Sequence, residues 1–322
     1  MSQRRRFSQG VSCPLANGRW PLEMAVGQLQ VSSSVEDPPV PQQVPVVHDH
    51  PYHPPANLIH RGLGRFEILD LNPAMVEHIP SLCATMAEEG RTGLSVHLPV
   101  FRPHWAPQCH THWYFLHADG ERREHSFRLL EHGLAWASRL NADYAVCHLT
   151  FGETDTTDPI EARRLAHAAC KRIAAAARSH GVMVDVEFAA YSDGFHSAEG
   201  FMEALADLPE LGICLDVGHL WIGAARRCRD PLKDAAILAS RIRSMHLWHG
   251  RSGLRERRPL HPDNQAKDGW FDIPALLDTV LGQAPYPAII FEYPVDRVTS
   301  DIQQGYDWIA GLLGAPWQRS RP

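Results

Sequence analysis

No stretch of this chain approaches the roughly 20 consecutive apolar residues that a membrane-spanning helix requires, so no span is expected. No two cysteines are spaced C-x-x-C, and their total of seven is odd. This argues against a disulfide framework and a cysteine zinc site, and a reduced, cytoplasmic protein is expected. There is no basic excess either. Lys and Arg number 31 against 37 Asp and Glu, for a net charge of −6, which disfavours nucleic acid as a partner. No G-x-G-x-x-G follows an apolar run, which counts against a dinucleotide fold. Arg4–Arg6 lack the apolar continuation of a secretion signal.

What is present divides unevenly. Residues 1–57 carry Pro38, Pro39, Pro41, Pro45, Pro51, Pro54 and Pro55, which break helices and most strands. This segment reads as irregular, with 25–33 as its one candidate strand. Residues 58–322 are regular. Strand-length apolar runs at Phe66–Leu71, Gly93–Leu98, Tyr144–Leu149, Val182–Phe188, Leu211–His219, Ile242–Leu247 and Ala288–Glu292 alternate with helical stretches. The helices are predicted at Pro73–Glu89, Ser126–Leu140, Pro159–His180, Ser197–Leu208, Pro231–Arg241, Asp272–Leu281 and Asp301–Leu313. Asp158 before Pro159 and Gly181 after His180 mark the clearest start and stop. Strict alternation implies a parallel sheet, and eight units favour closure into a (β/α)8 barrel. The aromatic and histidine-rich stretch Phe101–Glu124 reads either as a pocket wall or as a packed surface loop.

Six of the runs end on a residue that can ligate a metal ion. These residues are His97, His148, Glu187, Asp216 with His219, His246 and Glu292. In a parallel barrel the strand C-termini form the active-site mouth, so these side chains are expected to meet there. In Val182–Phe188 the two-residue period puts Asp185 and Glu187 on the inward face, with Glu187 nearer the mouth. A buried carboxylate without a cation costs several kcal/mol. The six runs hold no internal Lys and only Arg243 at a start, which favours metal. In Leu215-Asp216-Val217-Gly218-His219, Gly218 is read as a sharp turn that returns His219 to the centre of Asp216. Imidazole and carboxylate together suit zinc, manganese, iron or cobalt rather than magnesium. His246 and His249 face opposite sides of a continuing strand, so His246 is taken as the ligand. The loop arginines Arg255, Arg257 and Arg258 are candidates for binding an anionic substrate.

The set Glu187, Asp216-x-x-His219, His246 and Glu292, with "LDVGH" and "FEYP" as its most specific pieces, resembles the metal site of the xylose isomerase-like TIM barrels. The resemblance spans about residues 66–313. In the isomerase and epimerase branch it implies one divalent ion on Glu187, Asp216, His246 and Glu292. Glu187 and Glu292 would exchange a substrate proton, and His219 would contact substrate. His97, His148, His249 and Arg251 would then also serve substrate binding. In the endonuclease IV-type branch it implies more metal, with His97, His148 and His261 as added ligands. The Asp-x-His spacing of that branch is absent around His261, and Ala189 stands where aldose isomerases carry a Lys. The expected function is thus a metal-dependent sugar or sugar-phosphate isomerase or epimerase. A zinc-dependent phosphoester hydrolase is the alternative, and a barrel without activity comes third. The expected partner is a small-molecule substrate, with a homo-oligomer left open.

Overall fold

A computed structural model describes residues 24–29 and 64–313, except 72, 89–92, 108–111, 151, 153, 252–256, 284–286 and 294–297. The expected segment 1–57 therefore lies outside the described residues, apart from one strand.

Eight parallel strands close a barrel in chain order. They are β1 (Met24–Leu29), β2 (Arg65–Leu71), β3 (Gly93–Phe101), β4 (Tyr144–His148), β5 (Met183–Glu187), β6 (Leu211–Asp216), β7 (Ile242–Leu247) and β8 (Ala288–Phe291). β1 pairs with both β2 and β8, which completes the ring. The helices are α1 (Ile79–Glu88), α2 (Gly120–Arg139), α3 (Pro159–His180), α4 (Ala198–Ala204), α5 (Val217–Arg226), α6 (Pro231–Leu238), α7 (Ile273–Leu281) and α8 (Ser300–Leu312). No helix among the described residues is long and apolar enough to cross a membrane.

Alternation along the strands explains both cores. Ile68, Val96, Cys147, Val186, Leu215, Met245 and Ile289 are wholly buried between barrel and helices. The opposite face points into the barrel, where Tyr144, Val146, Cys214 and Ala288 form a small apolar cluster. Apart from Leu69 and Ile290, much of the rest of that interior is polar. Arg65, Glu67, Ser95, His97, His148, Asp185, Glu187, Asp216, Ser244 and His246 are all buried. Such a lining departs from the branched apolar layers usual in this architecture.

α3 spans the expected residues. Asp158 accepts from the Ile160 and Glu161 amides, and Gly181 closes the helix at φ 66°. α2 begins earlier than the apolar pattern implies, because the Asp119 side chain caps it by accepting from Glu121 N. A 3-10 turn at Pro73–His78 precedes α1. α4 is shorter than expected, spanning only Ala198–Ala204. Within the 101–124 stretch Trp113, Phe115 and Leu116 have no exposed surface, and Trp113 stacks on Phe115. The sharp turn read at Gly218 is a helix instead. α5 starts directly after β6, with Asp216 as its N-cap.

Candidate active site

The mouth of the barrel is built around Glu187, the last residue of β5. Registration places His148 of β4 beside Glu187, and Asp216 of β6 beside His246 of β7. Three imidazoles converge on the Glu187 carboxylate. His97 Nε2 lies 2.8 Å and His148 Nε2 3.2 Å from Oε2, and His219 Nε2 lies 3.1 Å from Oε1. Burial opposes ionisation of Glu187. The neighbouring His148 charge and the hydrogen bonds from His219 and His97 outweigh it, and hold the carboxyl well below the usual range.

The second half of the site is centred on His246. Its Nε2 is 3.0 Å from Glu67 Oε1, and its Nδ1 is 3.5 Å from Glu292 Oε2. Asp216 Oδ1 accepts from His219 N at 2.6 Å, and both Asp216 oxygens accept from Trp248 Nε1 at 3.1 and 2.9 Å. Burial pushes Glu292 up to about 7. Arg257 and His246 oppose that rise, while the Asp216 and Glu187 charges add to it. Arg257 pairs with Glu292 and lies with its guanidinium 5.4 Å from the centre of the Trp248 ring.

Three groups have ligand atoms within 4.8 Å of one another: His97, Glu187 and His246; His148, Glu187 and His219; Asp216, His246 and Glu292. The expected four ligands thus meet as two triads sharing His246. The residues fit a cation on a specific ground. Both nitrogens of His246 and Oε2 of Glu292 are buried without a well-aligned hydrogen-bond partner, despite the distances above. The donors are nitrogen and carboxylate oxygen, the set preferred by borderline divalent ions.

Several sequence expectations find other company. Asp185 is not a mouth residue. It binds Arg243 Nε and Ser244 Oγ at 2.7 Å each, so the strand-initial arginine is the partner whose absence favoured metal. His249 is buried, facing Phe271 O at 3.1 Å and Asn264 Nδ2 at 3.3 Å, with Trp308 stacked on it. Arg251 lies 4.5 Å over the Trp270 ring. His261 contacts Gln304 at 3.2 Å and Asp263 N at 3.2 Å. Neither His249 nor His261 joins a triad among the described residues. The main chain of Arg258 pairs with His249, Arg257 meets a carboxylate, and Arg255 lies outside the described residues.

Three contributors, Tyr191, Trp248 and Glu67, were not singled out from the sequence, and a fourth, Arg257, was read there as a binder of anionic substrate rather than as the partner of Glu292. Tyr191 holds His219 Nδ1 at 2.7 Å. Trp248 holds Asp216. Arg257 holds Glu292. Glu67 lies 3.0 Å from His246, and it could have been found, because Arg65 and Glu67 stand two residues apart on one face of a mainly apolar strand.

An eight-stranded parallel barrel with carboxylates and imidazoles gathered at its strand ends defines a class of barrel enzymes. The chain belongs to the xylose isomerase-like TIM barrel family, whose model matches residues 65–312. Solved structures share the fold. A D-tagatose 3-epimerase-like protein is 15% identical with a TM-score of 0.59, over 79% of this chain and 89% of its own. An L-ribulose 3-epimerase is 15% identical with a TM-score of 0.57, over 81% and 90%. A protein from Thermus thermophilus, soaked with zinc chloride, is 22% identical with a TM-score of 0.52, over 80% and 90%. No curated protein matches the chain.

Proposed function

We propose that the protein is a divalent-metal-dependent isomerase or epimerase acting on a sugar or sugar phosphate. The observation that carries this is the pair of buried carboxylates, Glu187 and Glu292, each in a triad with the same imidazole, His246. Glu187, Asp216, His246 and Glu292 would hold the ion. When bound, a zinc, manganese, iron or cobalt ion supplies Lewis-acid polarisation of a carbonyl and hydroxyl pair. Glu187 removes the proton from the carbon next to that carbonyl, and Glu292 returns one. His97, His148 and His219 hold substrate oxygens, and Tyr191 orients His219. The epimerase assignments of two proteins of the same fold support the sugar class.

The test is deuterium exchange. In D2O, a panel of ketoses and their phosphates should include one that gains carbon-bound deuterium, with one metal ion per chain. A second reading, phosphoester hydrolysis by several zinc ions, is favoured by the separate triad His148, Glu187 and His219. It draws nothing from His261, which lies in no triad. No exchange with any sugar, alongside hydrolysis of bis(p-nitrophenyl) phosphate with two or more zinc ions per chain, overturns the first reading in favour of the second.

A further inference from the structure

Arg226, Arg227 and Arg229 stand where α5 ends, and the proposed reaction gives them no role. All three reach the loop between β5 and α4, which brings the Tyr191 hydroxyl to within 2.7 Å of His219 Nδ1. Three carbonyls of that loop accept from side chains of other elements. Thr150 Oγ1 donates to Ala189 O at 2.8 Å, Arg227 Nη2 to Ser192 O at 3.0 Å and Arg229 Nη2 to His196 O at 2.9 Å. No backbone amide among the described residues donates to Ser192 O or His196 O. Ser192 is wholly buried, and a buried carbonyl needs a donor. Arg227 therefore supplies what the backbone of the loop does not.

The turn at Cys228 makes this grip possible. Cys228 has φ 52°, and the Arg229 amide closes on Ala224 O at 2.9 Å. This is the left-handed stop of a helix, held here at some cost by a residue other than glycine. It lets Arg227 and Arg229, on either side of Cys228, both face the loop. Arg227 acts closest to Tyr191. Its Nη2 also donates to Asp193 Oδ1 at 2.7 Å, so it holds the two residues that follow Tyr191. Arg226 is exposed and only stacks, 5.1 Å from the centre of the Tyr191 ring, whereas Arg227 is largely covered.

We infer that Arg227 is a positioning residue of the candidate site. By holding Ser192 and Asp193 it fixes Tyr191, and through Tyr191 the ring of His219. The assignment rests on the reading of His219 as a site residue.

The experiment uses the full chain labelled with 3-fluorotyrosine, followed by 19F NMR. The Tyr191 resonance is identified by its loss in Tyr191→Phe. Arg227→Gln should shift or broaden that resonance and leave the other tyrosine resonances in place. Arg227→Lys keeps a shorter donor and should give an intermediate position. Arg178→Gln removes the arginine of a different surface pair, with Glu210, and should leave the Tyr191 resonance where it is. In the deuterium-exchange assay, Arg227→Gln should lower kcat/KM by up to about 10²-fold, the scale of a misplaced contact. It should add nothing further to Tyr191→Phe, because both act through one contact.

An unmoved Tyr191 resonance in Arg227→Gln overturns the assignment. So does an equal shift in Arg178→Gln, or movement of all the tyrosine resonances together, since either is general loosening. An unchanged kcat/KM, or full additivity with Tyr191→Phe, overturns it as well. If no sugar exchanges deuterium, the proposed function falls while the fluorine spectra, which need no substrate, still decide the role of Arg227. Should Arg227→Gln fail to fold, Arg227→Lys decides in its place, and an unmoved resonance there overturns the assignment.

Discussion

Glu292 governs the protonation of the centre. Burial, followed by the charges of Asp216 and Glu187, holds it near 7 even though Arg257 is its ion-pair partner. In the ligand role proposed above it must be ionised. Below about 7 a metal must displace its proton, so affinity should fall by up to tenfold per pH unit on going down, and level off above. Calorimetric titration at pH 6 and pH 8, in buffers of different ionisation heat, should show that difference and the released proton. Arg257 favours the ionised form, so Arg257→Gln should move the midpoint to higher pH, and a downward shift would contradict the pairing. Glu187 has the opposite setting: against the opposing effect of burial, the His148 charge and the hydrogen bonds from His219 and His97 hold its carboxyl well below the usual range. Glu187→Gln should lower turnover by roughly 10²–10⁴-fold, the usual scale for a lost general base, and reduce bound metal as well.

At the scale of elements, the junction of β6 and α5 decides the shape of the site. Gly218 is inside α5, where glycine has no conformational advantage. A Cβ there would come within 1.5 Å of Trp248 Cζ2. The missing side chain admits the indole, whose Nε1 then binds Asp216. Gly218→Ala should therefore cost about 1–3 kcal/mol by overpacking, and should weaken metal binding through Asp216. Gly181 is the contrast. It has φ 66° and nothing within 4 Å of an added Cβ, so Gly181→Ala should cost about 1 kcal/mol of backbone strain with no effect on metal. Chemical denaturation paired with a metal titration of both variants separates the two mechanisms. Equal metal loss in both would count against the role given to Trp248.

For the whole molecule, stability should depend on pH through His249. Burial drives it down to about 4, with only the Phe271 carbonyl in its favour. The unfolded chain therefore takes up a proton near 6.5 that the folded state refuses until about 4. The contribution is complete above about 6.5 and is lost as pH falls toward 4, for roughly 3 kcal/mol at most. Urea unfolding between pH 7 and 4 should show a shallower decline for His249→Phe than for wild type. Metal binding acts on the same equilibrium in the opposite sense. A ligand at 100 times its Kd adds about 2.7 kcal/mol, so chelation should lower the melting temperature.

The order of strands and helices was legible because each element announces itself locally. Apolar runs of strand length, Asp-Pro helix starts and the Gly181 stop need no distant partner to be read. The mouth residues Glu187, Asp216, His246 and Glu292 were legible for the same reason, since strand alternation and strand ends place them. What lay beyond the sequence was pairing across the barrel. Arg243 is adjacent to Ser244 in sequence but meets Asp185 only through the strand between them. Glu67 became the partner of His246 because closure brings β2 and β7 to face each other across the interior. His249 left the site because the chain after β7 turns its ring onto Trp308. Gly218 read as a turn because a glycine shows what it permits, and only tertiary packing showed that the space was kept for Trp248. Sequence spacing sets which face a side chain takes, by the fixed period of the strand. Which charge answers it depends on the closed ring, where residues far apart in the chain share one volume closed off from water.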